Sequence, residues 1–247
     1  MILLKRTFEE IMLTLSFLTR IPIKIPHLND WEIRIKNIPI YFPLIGYLPG
    51  LIYYTGAMLY RKYMHFGLLI QMLTISFGFY MFDLFHFDGL LDMFDGLLNQ
   101  SNKEKRLEIM SKGNVGPFAV FYGTLYVLTF WELFKQIDPA SFIFGSVFGR
   151  YTMDVVMFFS KPAKQTGLGA LLYPFKKITI LVSLFFTLPL FLTNVELYMI
   201  SLTTAFIIGI TISFVSLSLV GGITGDILGG SCLIGEMVIL VLGYISN

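Results

Sequence analysis

Residues 197–220 read Leu197-Tyr-Met-Ile-Ser-Leu-Thr-Thr-Ala-Phe-Ile-Ile-Gly-Ile-Thr-Ile-Ser-Phe-Val-Ser-Leu-Ser-Leu-Val220, without a single charged side chain. About 20 mostly apolar residues carry a helix across the hydrocarbon of a bilayer, so this stretch alone sets the solvent in which the chain folds. The same pattern recurs on both sides of it. Candidate spans lie at Ile38–Tyr60, Phe66–Phe85, Val115–Gln136, Ala140–Ser160, Ile178–Asn194, Leu197–Val220 and Ile227–Ile245. The composition agrees: 55% of the 247 residues are hydrophobic, 14% are charged, and the mean hydropathy is +0.74. Soluble domains carry about a quarter charged residues, and a chain with 25 Phe and 13 Tyr is no disordered polymer. Cys232 is alone, which excludes a disulfide framework and any multi-cysteine metal site. The expected fold is an all-α polytopic membrane bundle of about seven spans, forming one domain over residues 1–247. Pro39, Pro43 and Pro49 mark the first span, and the short fifth one, as places to kink or re-enter.

Before the first span, Leu4, Phe8, Ile11, Met12, Leu15 and Leu18 share one helical face, with Lys5, Arg6, Glu9 and Glu10 opposite. No uninterrupted apolar core of the signal-peptide kind is present. The segment reads either as an amphipathic helix in the membrane interface or as a first helix packed on the bundle. Basic residues set the orientation. Lys5, Arg6, Arg20, Lys24, Arg34 and Lys36 precede the first span; Lys103, Lys105, Arg106 and Lys112 lie between the second and third; Lys161, Lys164, Lys176 and Lys177 lie between the fourth and fifth. The opposite loops hold only Arg61, Lys62 and Lys135. The three basic segments, with the loops 86–114 and 161–177, therefore belong on one face, expected to be cytoplasmic.

Acids are scarce, so their placement is informative. Asp83-Leu-Phe-His86-Phe-Asp88-Gly-Leu-Leu-Asp92-Met-Phe-Asp95 puts Asp88, Asp92 and Asp95 at i, i+4 and i+7, one stripe of a helix. Like charges on one stripe repel, most strongly near the low-dielectric membrane. A cation between them relieves that, and an all-oxygen ligand set favours Mg²⁺ or Mn²⁺ over zinc. The plainer alternative is a solvated acidic helix start. A second cluster, Gly221-Gly222-Ile-Thr224-Gly225-Asp226, allows amide N–H groups to approach an anion and Asp226 to add a ligand from another helix. Close helix packing through Gly225 and Gly229 accounts for the glycines equally well. Arg150 and Asp154, four residues apart, read as a neutralising pair, with Arg150 also able to reach a phosphate. Glu236 has no partner in its own helix, and Asp83 is the natural partner of His86. Carboxylate-held divalent cations beside Arg106, Lys112, Lys161 and Lys164 suit chemistry on a diphosphate. No Walker A motif, G-x-S-x-G elbow or zinc-protease helix occurs.

Six motifs occur in a telling order: Phe17-Leu-Thr-Arg20-Ile-Pro22, His86-Phe-Asp88-Gly-Leu-Leu-Asp92-Met-Phe-Asp95-Gly96, Arg106-Leu-Glu108-Ile-Met110, Val115-Gly116-Pro117-Phe118, Gly149-Arg150 and Gly221-Gly222-Ile-Thr224-Gly225-Asp226. Together they resemble the cobalamin synthase (adenosylcobinamide-GDP ribazoletransferase) family over about residues 7 to 236. The resemblance implies an integral enzyme of the prokaryotic cytoplasmic membrane that requires Mg²⁺, with Mn²⁺ as a substitute. It implies joining of adenosylcobinamide-GDP to α-ribazole or its 5′-phosphate with release of GMP, the nucleotide-loop assembly step of cobalamin biosynthesis. On that basis Asp88, Asp92, Asp95 and Asp226 are the metal-ligand candidates, and Asp92, Asp95 and His86 the catalytic ones. Arg20, Arg106, Arg150, Gly222, Thr224 and Gly225 are the substrate-binding candidates. The partners implied are the two small-molecule substrates and the lipid bilayer, not nucleic acid, and a homo-oligomer is compatible with the sequence. Two stretches depart from the family pattern: Ser111-Lys112-Gly113-Asn114 stands where a basic residue and Asp-Ser-Arg are usual, and Asn99-Gln100-Ser101 replaces a glycine-rich stretch. Asp92-x-x-Asp95-Gly96 also starts the pattern of CDP-alcohol phosphotransferases, but the following Ala-Arg is missing and Gly230 occupies the later aspartate position. A cation or corrinoid transporter would carry inverted repeats, and none is visible.

Overall fold

Charge buried and grease exposed is the arrangement that the composition demands. Arg150, Asp154 and Glu236 are shut inside, whereas Leu68, Phe121, Leu181 and Phe214 are each more than 60% exposed. Apolar surface on this scale needs an apolar solvent. The computed structural model describes residues 2–23 and 30–246, so Lys24, counted among the basic residues above, lies outside the described residues. In chain order the helices are α1 (Ile2–Leu18), α2 (Trp31–Arg34), α3 (Phe42–Lys62), α4 (Gly67–Gly78), α5 (Leu84–Leu98), α6 (Lys103–Lys112), α7 (Pro117–Gln136), α8 (Ala140–Phe159), α9 (Leu168–Leu171), α10 (Thr179–Phe185), α11 (Leu188–Phe191), α12 (Val195–Val220) and α13 (Gly225–Ile245). A 3₁₀ turn, Ile35–Tyr41, leads into α3, and a π-helical turn, Phe79–Asp83, joins α4 to α5. Among the described residues there is no strand, only an isolated bridge between Pro162 and Ile223. α8 is the central helix, packed against α3, α12 and α13, and α13 also packs along α5.

Local chemistry explains the boundaries. Asn102, Asn194 and Thr224 cap α6, α12 and α13, each side chain accepting a backbone N–H of the first turn. Pro117 opens α7, where its missing N–H is harmless. α12 stops at Gly221, whose φ of 80° is left-handed and natural only for glycine.

Six helical runs among the described residues are long and apolar enough to cross a membrane. Expectation and structure part at Ile178–Asn194, which is not one helix but the short α10 and α11. Pro189 lacks the N–H that would bond the Phe185 carbonyl, so the helix breaks there. The Leu190 N–H turns to Thr187 instead, and Tyr47 donates to the freed Phe186 carbonyl at 3.0 Å. The stretch still carries the chain from one end of the bundle to the other. At one end, the Ile223 N–H donates to the Lys161 carbonyl (2.8 Å) and the Ala163 N–H to the Ile223 carbonyl (2.9 Å). At the other, Asn194 and Leu197 gather with Asp138, Ser141 and Gly243. The basic segments share the first end: Lys164 Nζ donates to the Leu107 carbonyl at 3.3 Å, and Lys176 Nζ to Asn37 at 2.8 Å. Arg61 lies at the second, donating to the Ile137 carbonyl.

α1 docks by its acidic side. Glu10 accepts from Asn37 Nδ2 (2.9 Å) and the Tyr41 hydroxyl (3.2 Å), and Glu9 pairs with Arg34 at 2.6 Å. Leu4 and Phe8, from the apolar stripe, face outward instead. Partners for both carboxylates inside the protein, and lipid for the hydrocarbon outside, explain this orientation.

Candidate functional site

Two glycine-rich surfaces bring the acids together. A Cβ placed on Gly89 would stand 2.9 Å from the Asp226 carbonyl oxygen and 3.0 Å from its Cα, and one on Gly229 3.2 Å from the His86 Cα. Only glycine permits helices α5 and α13 to meet so closely. The first turn of α13, with Asp226, is thereby set directly against the Asp88–Asp92 stripe. The Asp226, Asp88 and Asp95 charges all act on Asp92. Thr224 does two tasks: its hydroxyl oxygen accepts the Ile227 N–H and its proton goes to Asp226 Oδ2, both at 3.2 Å.

Asp95 is differently engaged. It accepts the Gly116 N–H at 2.6 Å and the Ala119 N–H at 3.0 Å, capping α7 with both oxygens. Among the described residues, no group of three His, Cys, Asp or Glu side chains converges as a ready-made ion cage. Mg²⁺ does not ask for one, because it is commonly held by one or two carboxylates with the remaining positions filled by phosphate oxygens and water. Among the described residues Asp88 and Asp92 have no hydrogen-bond partner, so the oxygen-only donor set of Asp88, Asp92 and Asp226 fits that ion.

Two cavities meet at Asp226. One of about 140 Å³ is bounded by Lys164, residues 166–170 and residues 223–226. The other, about 390 Å³, lies between α1, α5, α9 and α13 and includes His86, Asp88 and Asp226 in its wall. The unbonded N–H groups of the α13 first turn and the Lys164 ammonium make the smaller one suited to an anion.

The remaining candidates divide. Gly225 lines both cavities. Gly222 serves loop packing, since a Cβ there would lie 2.3 Å from the Lys161 carbonyl oxygen. Arg106 closes the C-terminus of α5: Nε donates to the Ser101 carbonyl (2.8 Å) and Nη1 to the carbonyls of Gly96 and Leu97. Arg20 stacks on Tyr80 and Phe85, 4.9 and 5.0 Å from the ring centres, and its N–H donates to the Met81 carbonyl at 2.8 Å. Arg150 is wholly buried and pairs with Asp83 at 2.9 Å, not with Asp154, and it is too enclosed to meet a phosphate. His86 likewise lacks the expected Asp83 partner; its Nδ1 donates to the Phe82 carbonyl at 3.2 Å. Asp83, the last residue of the π turn, instead faces Arg150 and the Tyr53 hydroxyl (2.6 Å). Glu236 accepts from the Ser146 hydroxyl at 2.7 Å, inside the bundle. Sequence reasoning did not find residues 166–170, the wall between the cavities; the Gly167-Leu-Gly169 pair was its only trace.

The model of the cobalamin-5-phosphate synthase family matches residues 10–244, a range that holds Asp88, Asp92, Asp95 and Asp226. The chain belongs to the cobalamin-5-phosphate synthase family. Relatives in it include the adenosylcobinamide-GDP ribazoletransferase of Fervidobacterium nodosum, 58% identical over 240 residues, covering 97% of this chain and 98% of the relative. The enzymes of the same name from Thermosipho melanesiensis and Kosmotoga olearia are 52% and 41% identical, covering 96% and 95% of this chain and 99% and 97% of their own lengths. No solved structure matches the chain. The cobalamin-5-phosphate synthase family is thus represented here by an all-helical bundle whose two most distinctive motifs touch through Gly89 and Asp226.

Proposed function

We propose that this chain joins adenosylcobinamide-GDP to α-ribazole or its 5′-phosphate, forming adenosylcobalamin or its 5′-phosphate and releasing GMP. The observation that carries the reading is the close approach of Asp226 to Gly89, which sets the acid of the Gly-Gly-Ile-Thr-Gly-Asp motif against the Asp88–Asp92 stripe. The α13 N-terminus and Lys164 receive the diphosphate in the smaller cavity. The acceptor hydroxyl then attacks the phosphorus bonded to cobinamide. A new P–O bond forms, the bond to the bridging oxygen breaks, and GMP departs with that oxygen. The hydroxyl proton passes to one of the Asp88, Asp92 or Asp226 carboxylates, the nearest bases. Those three would also hold Mg²⁺ or Mn²⁺, which supplies charge neutralisation at the diphosphate.

The basic end of the bundle is the cytoplasmic face in this reading, because 14 Lys and Arg in its segments stand against Arg61, Lys62 and Lys135 opposite. The site then opens to the cytoplasmic side of a prokaryotic cytoplasmic membrane. The test is purified protein in detergent with Mg²⁺, adenosylcobinamide-GDP and α-ribazole. GMP release matched one for one by cobalamin is the expected result. Cobinamide uptake into liposomes without GMP would overturn the proposal in favour of transport.

A further inference from the structure

The proposed reaction needs places for two chemically unlike substrates, and two unlike cavities share Asp226, Gly225 and Leu168. The larger is walled by Leu13, Phe17, Phe85, Met153, Leu172 and Leu228. Its polar side chains are Ser16, His86, Asp88 and Asp226, and among the described residues no Lys or Arg lines it. A phosphate or diphosphate placed there would meet two carboxylates and, among the described residues, no Lys or Arg to offset them. A corrin macrocycle with its side chains is far too large for about 390 Å³. A flat, uncharged, methyl-bearing aromatic base suits both the volume and the walls, since small-molecule sites are mostly apolar with a few convergent polar groups.

We propose that this cavity between α1, α5, α9 and α13 seats the benzimidazole base of the acceptor riboside. This rests on the activity proposed above and assigns the acceptor half of that site. The base lies among Phe17, Phe85 and the aliphatic side chains, and the ribose points to Asp226, the shared edge. Its hydroxyl thereby meets the phosphorus held in the smaller cavity. α1 is in this view part of the acceptor site and not only a membrane-surface helix.

Ser16, on α1, lines the cavity and is outside the acidic centre, so Ser16→Trp fills the space without touching a reacting group. The KM for α-ribazole should rise about tenfold or more, with the KM for adenosylcobinamide-GDP and the thermal midpoint unchanged. Ser16→Leu, a smaller intrusion, should give a smaller rise in the same constant and serves if the tryptophan variant does not fold. An increase in the adenosylcobinamide-GDP constant instead, or in both equally, overturns the assignment. Fluorescence titration with α-ribazole alone separates this from the activity itself: saturable binding that Ser16→Trp weakens supports the site even where wild-type protein releases no GMP. Absence of such binding, with a fluorescent fatty acid occupying the cavity in its place, overturns it in favour of an acyl chain.

Discussion

Arg150 Nη2 and Asp83 Oδ1 are 2.9 Å apart with both side chains essentially removed from solvent, and the Tyr53 hydroxyl donates to the other Asp83 oxygen at 2.6 Å. The pair links α8 to the π turn from which α5 and its acidic stripe descend. It is a structural brace behind the proposed reacting centre.

Removing one member of a buried pair strands the other, at a cost of about 3–5 kcal/mol. Arg150→Met should therefore sharply lower the thermal midpoint in detergent. The double variant Arg150→Met with Asp83→Leu should recover much of the loss, as apolar replacement of both partners often does. Equal instability of single and double variants would contradict the brace.

Asp92→Asn and Asp226→Asn keep the size of each side chain and remove its charge. Each should lower the rate of GMP release by about 100-fold or more, with membrane insertion and thermal midpoint unaffected. Chelation of divalent ions should stop the wild-type reaction, and added Mg²⁺ or Mn²⁺ should restore it. Full activity in chelator would contradict the assigned role of the carboxylates.

Asp95 answers to a different test, because its oxygens hold the Gly116 and Ala119 amides. Asp95→Ala should destabilise by about 1–2 kcal/mol through the lost cap. Asp95→Asn keeps an acceptor oxygen and should retain most of that stability, with Mg²⁺ binding by calorimetry unchanged. Loss of Mg²⁺ binding in a stable Asp95→Asn protein would instead make Asp95 a ligand.

Gly89→Ala sets a methyl group 2.9 Å from the Asp226 carbonyl oxygen, a backbone atom that moves only if α13 moves. Overpacking of this kind costs about 1–3 kcal/mol, and separating the motifs should depress turnover beyond that loss of stability. Gly113→Ala, where the space is open but φ is 62°, is the contrasting variant. It should strain the α6 C-terminus and leave turnover nearly intact. Wild-type turnover in Gly89→Ala, measured by GMP release, would detach the close approach from function.

Much of the architecture was legible in sequence order, and the misses have physical causes. The long apolar runs became α3, α7, α8, α12 and α13 because length and hydropathy are local properties that a bilayer reads directly. Asp88 and Asp92 were legible as a stripe, since helical spacing needs no tertiary knowledge. The partners of Arg150 and His86 were not, because Asp83, at the end of the π turn, meets Arg150 from another helix, while His86 turns to the Phe82 carbonyl. The capping role of Asp95 was not legible, because its partners are amides more than 20 residues later in the chain.

Residue order on its own settled that the molecule is a helical membrane bundle with two acid-bearing motifs, each a matter of hydrophobicity and periodicity within one segment. Which side chains actually meet was decided only by packing. Gly89 lets α13 approach α5, Pro189 breaks the crossing at residues 178–194, and burial away from water brings Arg150 to Asp83 and Glu236 to Ser146, each on a different element.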